Sequence, residues 1–172
     1  VLKPGERVIM FTSCIPGEGK TFVASNLAMS MALLGKKVIV VGLDVRKPRL
    51  VQLFNLKSKK RGIVNFLCGD GKDISLLEEQ IIPSGINANM DVLPAGVIPP
   101  NPAELLGSDK LKIAIDYLSS KYDYVILDTP PVGIVADSLI IGKLANVTMF
   151  VTRLQYSPKT TFEILNDLSN KK

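Results

Sequence analysis

The chain has 172 residues, 47% hydrophobic and 22% charged, which suits one globular domain with a sizeable core. It holds no histidine and two cysteines, which excludes Ser-His-Asp and Cys-His catalysis, histidine-based zinc sites and a disulfide framework. The formal charge of +5 favours anionic partners, and no apolar run approaches the ~18 residues that cross a bilayer.

In chain order, residues 7–12 (RVIMFT) read as a strand, followed by a glycine-rich turn. Residues 20–35 (KTFVASNLAMSMALLG) read as a helix that Gly35 stops. A second strand is predicted over residues 37–44 (KVIVVGLD), and the basic run KSKKR at residues 57–61 reads as a solvated loop. Residues 61–71 (RGIVNFLCGDG) suggest a short helix ending in glycine, and residues 72–82 (KDISLLEEQII) are ambiguous. A short strand is expected in residues 90–96 (MDVLPAG). Pro102 then opens a helix that runs on towards residues 113–120 (IAIDYLSS). Residues 122–131 (YDYVILDTPP) form a strand that must stop at its prolines. A helix over 136–145, a strand over 146–153 and a last helix over 158–170 complete the pattern.

Continuous apolar strands separated by helices predict an α/β fold, a doubly wound and mostly parallel sheet covered on both faces. The reading is of one domain over residues 1–172. Its two ends read as cuts in a longer protein, and the last helix, with no strand after it, reads as a truncated sheet edge.

FTSCIPGEGKTF, residues 11–22, follows a strand and opens a helix, which is the setting a phosphate-binding loop requires. Such a loop aims backbone N–H groups at phosphate oxygens, and the helix N-terminus adds positive charge. Lys20 can reach the β- and γ-phosphates, the Thr21 hydroxyl can ligate Mg²⁺, and Gly17 and Gly19 allow close backbone approach. Cys14 stands where the general pattern has its first glycine, and reads as a small residue at the mouth of the loop.

Two strands end in acids at the sheet edge where this loop lies, giving Asp44 and Asp128. Asp128 is placed to hold Mg²⁺ or its water, and Asp44 to orient an attacking hydroxyl or hold a Mg²⁺ water. Arg46 can pair with phosphate or with a neighbouring carboxylate. Two plainer readings stay open at this point: Asp128 as a turn initiator, and Asp44 with Arg46 as a surface pair of little energy.

Four segments, TSCIPGEGKTFVASNLA, VGLDVRKPRL, LPAGVIPPNPAELL and YDYVILDTPPVG, together resemble the bacterial tyrosine kinases attached to polysaccharide co-polymerases. The resemblance spans residues 7–153 and implies a P-loop fold of the MinD/ParA-like group, ATP and Mg²⁺ as cofactors, and tyrosine phosphorylation in trans. It carries the nucleotide loop over to Ile15, Pro16, Gly17, Glu18, Gly19, Lys20, Thr21 and Phe22. The metal set it implies is Thr21, Asp44 and Asp128, and the catalytic set is Lys20, Asp44, Arg46 and Asp128. It also implies a ring-type homo-oligomer, a transmembrane activator segment fused or separate, and protein tyrosine substrates. The full-length protein would lie at the cytoplasmic face of the inner membrane, serving capsule or exopolysaccharide export, with no nucleic-acid partner.

Three departures matter. Gly42 replaces the first aspartate of the family's D-x-D-x-R motif, and the expectation is that Gly42→Asp raises activity or leaves it alone. The family's C-terminal tyrosine cluster is absent: Tyr117, Tyr122, Tyr124 and Tyr156 are dispersed, with Tyr122 and Tyr124 expected to pack in the core. Ile15 replaces the early lysine of MinD and ParA. The competing functions are an ATPase switch without tyrosine chemistry and a nucleotide-binding scaffold of the export complex.

Overall fold

Six strands make one sheet in the computed structural model, which describes residues 3, 5–57, 60–71 and 73–169, with side chains through 167. They are β1 (Val8–Ser13), β2 (Val38–Gly42), β3 (Ile82–Pro83), β4 (Met90–Leu93), β5 (Tyr124–Asp128) and β6 (Val147–Val151). Their spatial order is β3-β4-β2-β5-β1-β6, parallel throughout except for the β3–β4 pair. The doubly wound, mostly parallel sheet expected from the apolar strands is therefore present.

Both faces of the central strands are buried, which is why their sequences run apolar without alternation. Ile9, Phe11, Val38, Val40, Met90, Val92 and Ile126 point to one side. There α1 (Lys20–Leu33) lays Ala24, Ala28 and Ala32 against them, four residues apart and so on one helical face. Small side chains let this helix sit close to the sheet, which brings its N-terminus to the end of β1. Val8, Met10, Ile39, Val41, Val125 and Leu127 point to the other side. They meet α3 (Ile63–Cys68), α4 (Ile74–Glu78), α5 (Pro102–Leu106), α6 (Asp109–Lys121) and α7 (Asp137–Gly142).

Several elements differ from the sequence reading. The helix opened by Pro102 does not run through. It stops at Leu106, and α6 starts afresh after Ser108, whose hydroxyl turns back to the Leu105 carbonyl at 2.7 Å. The ambiguous stretch resolves into α4, capped by the Asp73 carboxylate on Ser75 N–H at 3.0 Å, and then the antiparallel edge strand β3. A one-turn helix, α2 (Leu50–Leu53), was not anticipated. The last helix, α8, covers Thr161–Ser169, and β6 forms the sheet edge beside β1. Ser58 and Lys59 of the basic run lie outside the described residues.

The topology sets up the site. Because β5 lies between β1 and β2, Asp128 stands in register with Phe11 on one side and Gly42 on the other. The loop after β1, the acid ending β5 and the acid just past β2 are thereby brought to one point.

Candidate functional site

The loop between β1 and α1 carries left-handed glycines at Gly17 (φ +89°) and Gly19 (φ +95°), so the expected permissive positions are used. Glu18 is buried and folds back inside the loop, its Oε2 accepting the Ile15 N–H at 2.8 Å. Among the described residues, no hydrogen bond within the chain uses the N–H groups of Gly17, Glu18 or Gly19. Cys14 is buried, and Gly133 packs so closely on it that a Cβ there would lie 2.4 Å from the Cys14 carbonyl oxygen.

Lys20, at the start of α1, sends its ammonium back between the two strand-end acids. Its Nζ lies 3.5 Å from Asp44 Oδ2 and 4.0 Å from Asp128 Oδ1. Thr21 donates its hydroxyl to Asp128 Oδ2 at 2.8 Å. The Asp44 carboxylate is fixed from the other side by the Lys47 N–H at 3.0 Å, and its own N–H bonds the Asp128 carbonyl at 3.1 Å. Lys20, Thr21, Asp44 and Asp128 thus come together at one point, while Arg46 is held on another carboxylate.

Both acids are buried, but of the two it is Asp44 that borders the main cleft, and this separates their chemistry. Asp128 is sealed beneath the loop, and burial pushes its carboxyl up to about 6; the Lys20 charge and the Thr21 hydrogen bond oppose this, while Asp44 adds to it. Its Oδ1 is buried without a hydrogen-bond donor, because Lys20 approaches only to ion-pair distance. Asp44 instead lines a cleft of about 640 Å³ shared with Gly17, Gly19, Lys20, Thr21, Phe22, Arg46 and Arg49. Pro130, Pro131, Ile134 and Val135 form its apolar wall. Asp44 is thus the carboxylate that a molecule in the cleft would touch.

Arg46 lines the same cleft and pairs with a residue that sequence reasoning missed. Its Nε and Nη2 donate to the two oxygens of Asp137 at 2.8 and 3.3 Å. Asp137 is 2% exposed at the start of α7, and its hydrogen bonds hold the Arg46 guanidinium firmly charged. No local signal marks Asp137, since its partner is 91 residues away in the chain. Gly42 lies beside this cluster, in register with Asp128, and a Cβ there would lie 3.1 Å from Leu50 Cδ1 and 3.2 Å from the Ala95 nitrogen.

Tyr122 and Tyr124 pack against the cores as expected, and the other two tyrosines make separate contacts. Tyr122 donates to Asp91 at 2.7 Å and packs against one core, and Tyr124 packs against the other. Tyr117 bonds Glu78. Tyr156 is half-exposed and rests on the phosphate loop, its hydroxyl donating to the Pro16 carbonyl at 3.0 Å.

The donor set suits a divalent cation held largely by waters and phosphate oxygens. Two carboxylates and a hydroxyl converge, one carboxylate oxygen is unsatisfied, and an ammonium partly balances the charge. No cluster of three or more His, Cys, Asp or Glu able to hold a metal by protein ligands alone occurs among the described residues.

The chain is similar to several known proteins. The AAA domain family matches residues 6–157. The tyrosine-protein kinase wzc of Salmonella typhimurium is 36% identical over 169 residues, 98% of this chain, and the chain spans 22% of that protein. The tyrosine-protein kinase YwqD of Bacillus subtilis is 41% identical over 143 residues, covering 83% of this chain and 58% of that protein. Among solved structures, the kinase domain of the Escherichia coli tyrosine kinase ETK superposes with a TM-score of 0.89 at 29% identity, covering 98% of this chain and 64% of that one. The septum site-determining protein MinD of Pyrococcus horikoshii, solved with Mg-ADP, superposes at 0.76 with 25% identity over 96% of this chain and 66% of that one.

Proposed function

The chain belongs to the AAA domain family and, within it, to the kinase domains of bacterial tyrosine kinases, and from that premise we propose that it transfers the γ-phosphoryl group of ATP to tyrosine hydroxyls. The observation that carries this reading is the Lys20 ammonium held between Asp44 and Asp128 beside a loop with free N–H groups. Such a cluster offers charge neutralisation and positioning, which is what phosphoryl transfer asks of a protein.

Each residue then has a task. The N–H groups of Gly17, Glu18 and Gly19 cradle phosphate oxygens, and Lys20 neutralises charge that builds on the transferring group. Thr21 and Asp128 would hold Mg²⁺, with Asp44 reaching it directly or through water. When bound, that ion supplies further charge neutralisation at the phosphates. Asp44, the acid open to the cleft, orients the attacking hydroxyl and accepts its proton. Arg46, steadied by Asp137, adds positive charge at the cleft wall. No covalent intermediate on the protein is needed.

The chain spans about a fifth of the length of wzc, which bears on the wider role. On the kinase reading the remainder of the full-length protein, or a separate partner, would supply a membrane-spanning activator. On this reading the domain works at the cytoplasmic face of the inner membrane in capsule or exopolysaccharide synthesis. It assembles as a ring in which one subunit's tyrosines reach the next subunit's cleft.

A second reading, an ATPase switch without tyrosine chemistry, is favoured by Gly42 and by the shared fold of MinD. Incubating the full-length protein with Mg-ATP and mapping phosphotyrosine by mass spectrometry separates the two. Modified tyrosines together with ADP support the kinase, whereas ADP with unmodified tyrosines supports the switch.

A further inference from the structure

A second loop grips the phosphate loop from outside the cleft. After β6, residues 153–157 fold into a tight turn, in which the Tyr156 and Ser157 N–H groups donate to the Arg153 carbonyl at 3.1 and 2.9 Å. The Arg153 N–H closes it on Ser157 Oγ at 2.7 Å, and Gln155 takes a left-handed φ of +61° at its tip. Three side chains reach from this turn to three successive residues of the phosphate loop. The Tyr156 hydroxyl donates to the Pro16 carbonyl at 3.0 Å, Arg153 Nη1 donates to the Gly17 carbonyl at 3.4 Å, and the Ser157 hydroxyl bonds Glu18. The Arg153 guanidinium also lies 5.2 Å from the centre of the Tyr156 ring, so the two side chains brace each other. Gly17 matches this strap: a Cβ there would come within 2.6 Å of the Tyr156 hydroxyl.

The consequence follows from the planarity of the peptide bond. In a trans peptide the carbonyl and the next N–H point in opposite directions. Drawing the Pro16 and Gly17 carbonyls out towards the strap therefore turns the N–H groups of Gly17 and Glu18 the other way, away from it. Those N–H groups have no partner in the described chain, and neither Arg153 nor Tyr156 lines the cleft. We propose that Arg153 and Tyr156 are positioning residues that set the peptide planes of the phosphate loop so that its N–H groups meet the phosphates. The proposal rests on the nucleotide-binding reading of that loop. It gives the sole tyrosine on the phosphate loop a task that needs no modification of its hydroxyl.

Calorimetric titration with Mg-ADP and with adenosine tests it in wild type, Tyr156→Phe, Arg153→Met and the double variant. Tyr156→Phe removes a single oxygen, so it keeps the fold even where the double variant does not. Each single variant is expected to weaken Mg-ADP about five- to tenfold, the scale of one lost hydrogen bond, with adenosine affinity unchanged. Unchanged Mg-ADP affinity in both single variants overturns the proposal, and so does an equal loss for adenosine, which marks a general structural effect. Wild type that binds no Mg-ADP, with Lys20→Ala indistinguishable from it, overturns the nucleotide-binding reading itself.

Discussion

Asp128 carries the sharpest tension at the residue scale, a carboxyl sealed beneath the phosphate loop with one oxygen unsatisfied. Burial lifts its carboxyl from the ordinary 3.8 of an aspartate to about 6, so the native state binds the proton more tightly between those limits. Stability of the nucleotide-free chain should therefore fall as pH rises from about 4 to 6, and the loss is complete above that window. Asp128→Asn keeps an acceptor for Thr21 and removes the buried charge. It should stabilise the chain by on the order of 2 kcal/mol at pH 7 and flatten that part of the pH profile in urea unfolding. An unchanged slope between pH 4 and 6 would contradict the assignment. Mg²⁺-dependent nucleotide affinity should move oppositely, weakening below about pH 6 as the carboxyl protonates.

Gly42 shows what a residue letter cannot say. Its absence from the expected acidic pair was plain in the sequence, but the space beside it was not. Leu50 and the Ala95 backbone leave room only if Leu50 shifts, so Gly42→Asp meets crowding as well as a third nearby acid. Taken for its effect on folding, Gly42→Asp should cost about 1–3 kcal/mol in chemical denaturation. Combining it with Leu50→Ala should cost less than the sum of the two single changes, and strict additivity would show that Leu50 is not the obstacle.

Between elements, the Arg46–Asp137 pair ties the segment after β2 to the first turn of α7. The two ends are not equivalent. The Arg46 side chain is 41% exposed and can turn to water, whereas that of Asp137 is 2% exposed and cannot. Arg46→Ala strands a buried carboxylate and should destabilise by about 3 kcal/mol, while Asp137→Ala should cost roughly 1 kcal/mol. Denaturation midpoints giving the reverse order would overturn this account of the pair. Elements defined by local chemistry were legible beforehand: the strand–glycine–lysine–helix order of the phosphate loop, and the one strand, β5, that stops before Pro130 and Pro131. Elements decided by tertiary contact were not. The edge strand β3 is paired only with β4, antiparallel to it, and its two residues carry no strand signal of their own. The break between α5 and α6, by contrast, does have a local mark in Gly107 and Ser108, which the reading of one continuous helix passed over.

At the scale of the whole molecule, the site is a product of strand order. The insertion of β5 between β1 and β2 places Asp128 beneath Lys20 and beside Asp44, though the chain separates these acids by 84 positions. Parallel pairing brings the strand ends to one edge, so each acid could be assigned to the loop from sequence once a parallel sheet was expected. What that logic cannot supply is the contact made from a distant loop. Asp137, Arg153 and Tyr156 reach the site through packing of α7 and of the turn after β6, and nothing in their local sequence announces it.

On the proposed function Asp44, which borders the cleft, works on the attacking tyrosine hydroxyl or the metal beside it. The measurement that tests it most directly is the rate of phosphotyrosine formation by the full-length protein with Mg-ATP, in wild type and in Asp44→Asn. A fall of about 10²-fold or more is expected in Asp44→Asn. Phosphotyrosine formation by Asp44→Asn at the wild-type rate would contradict it.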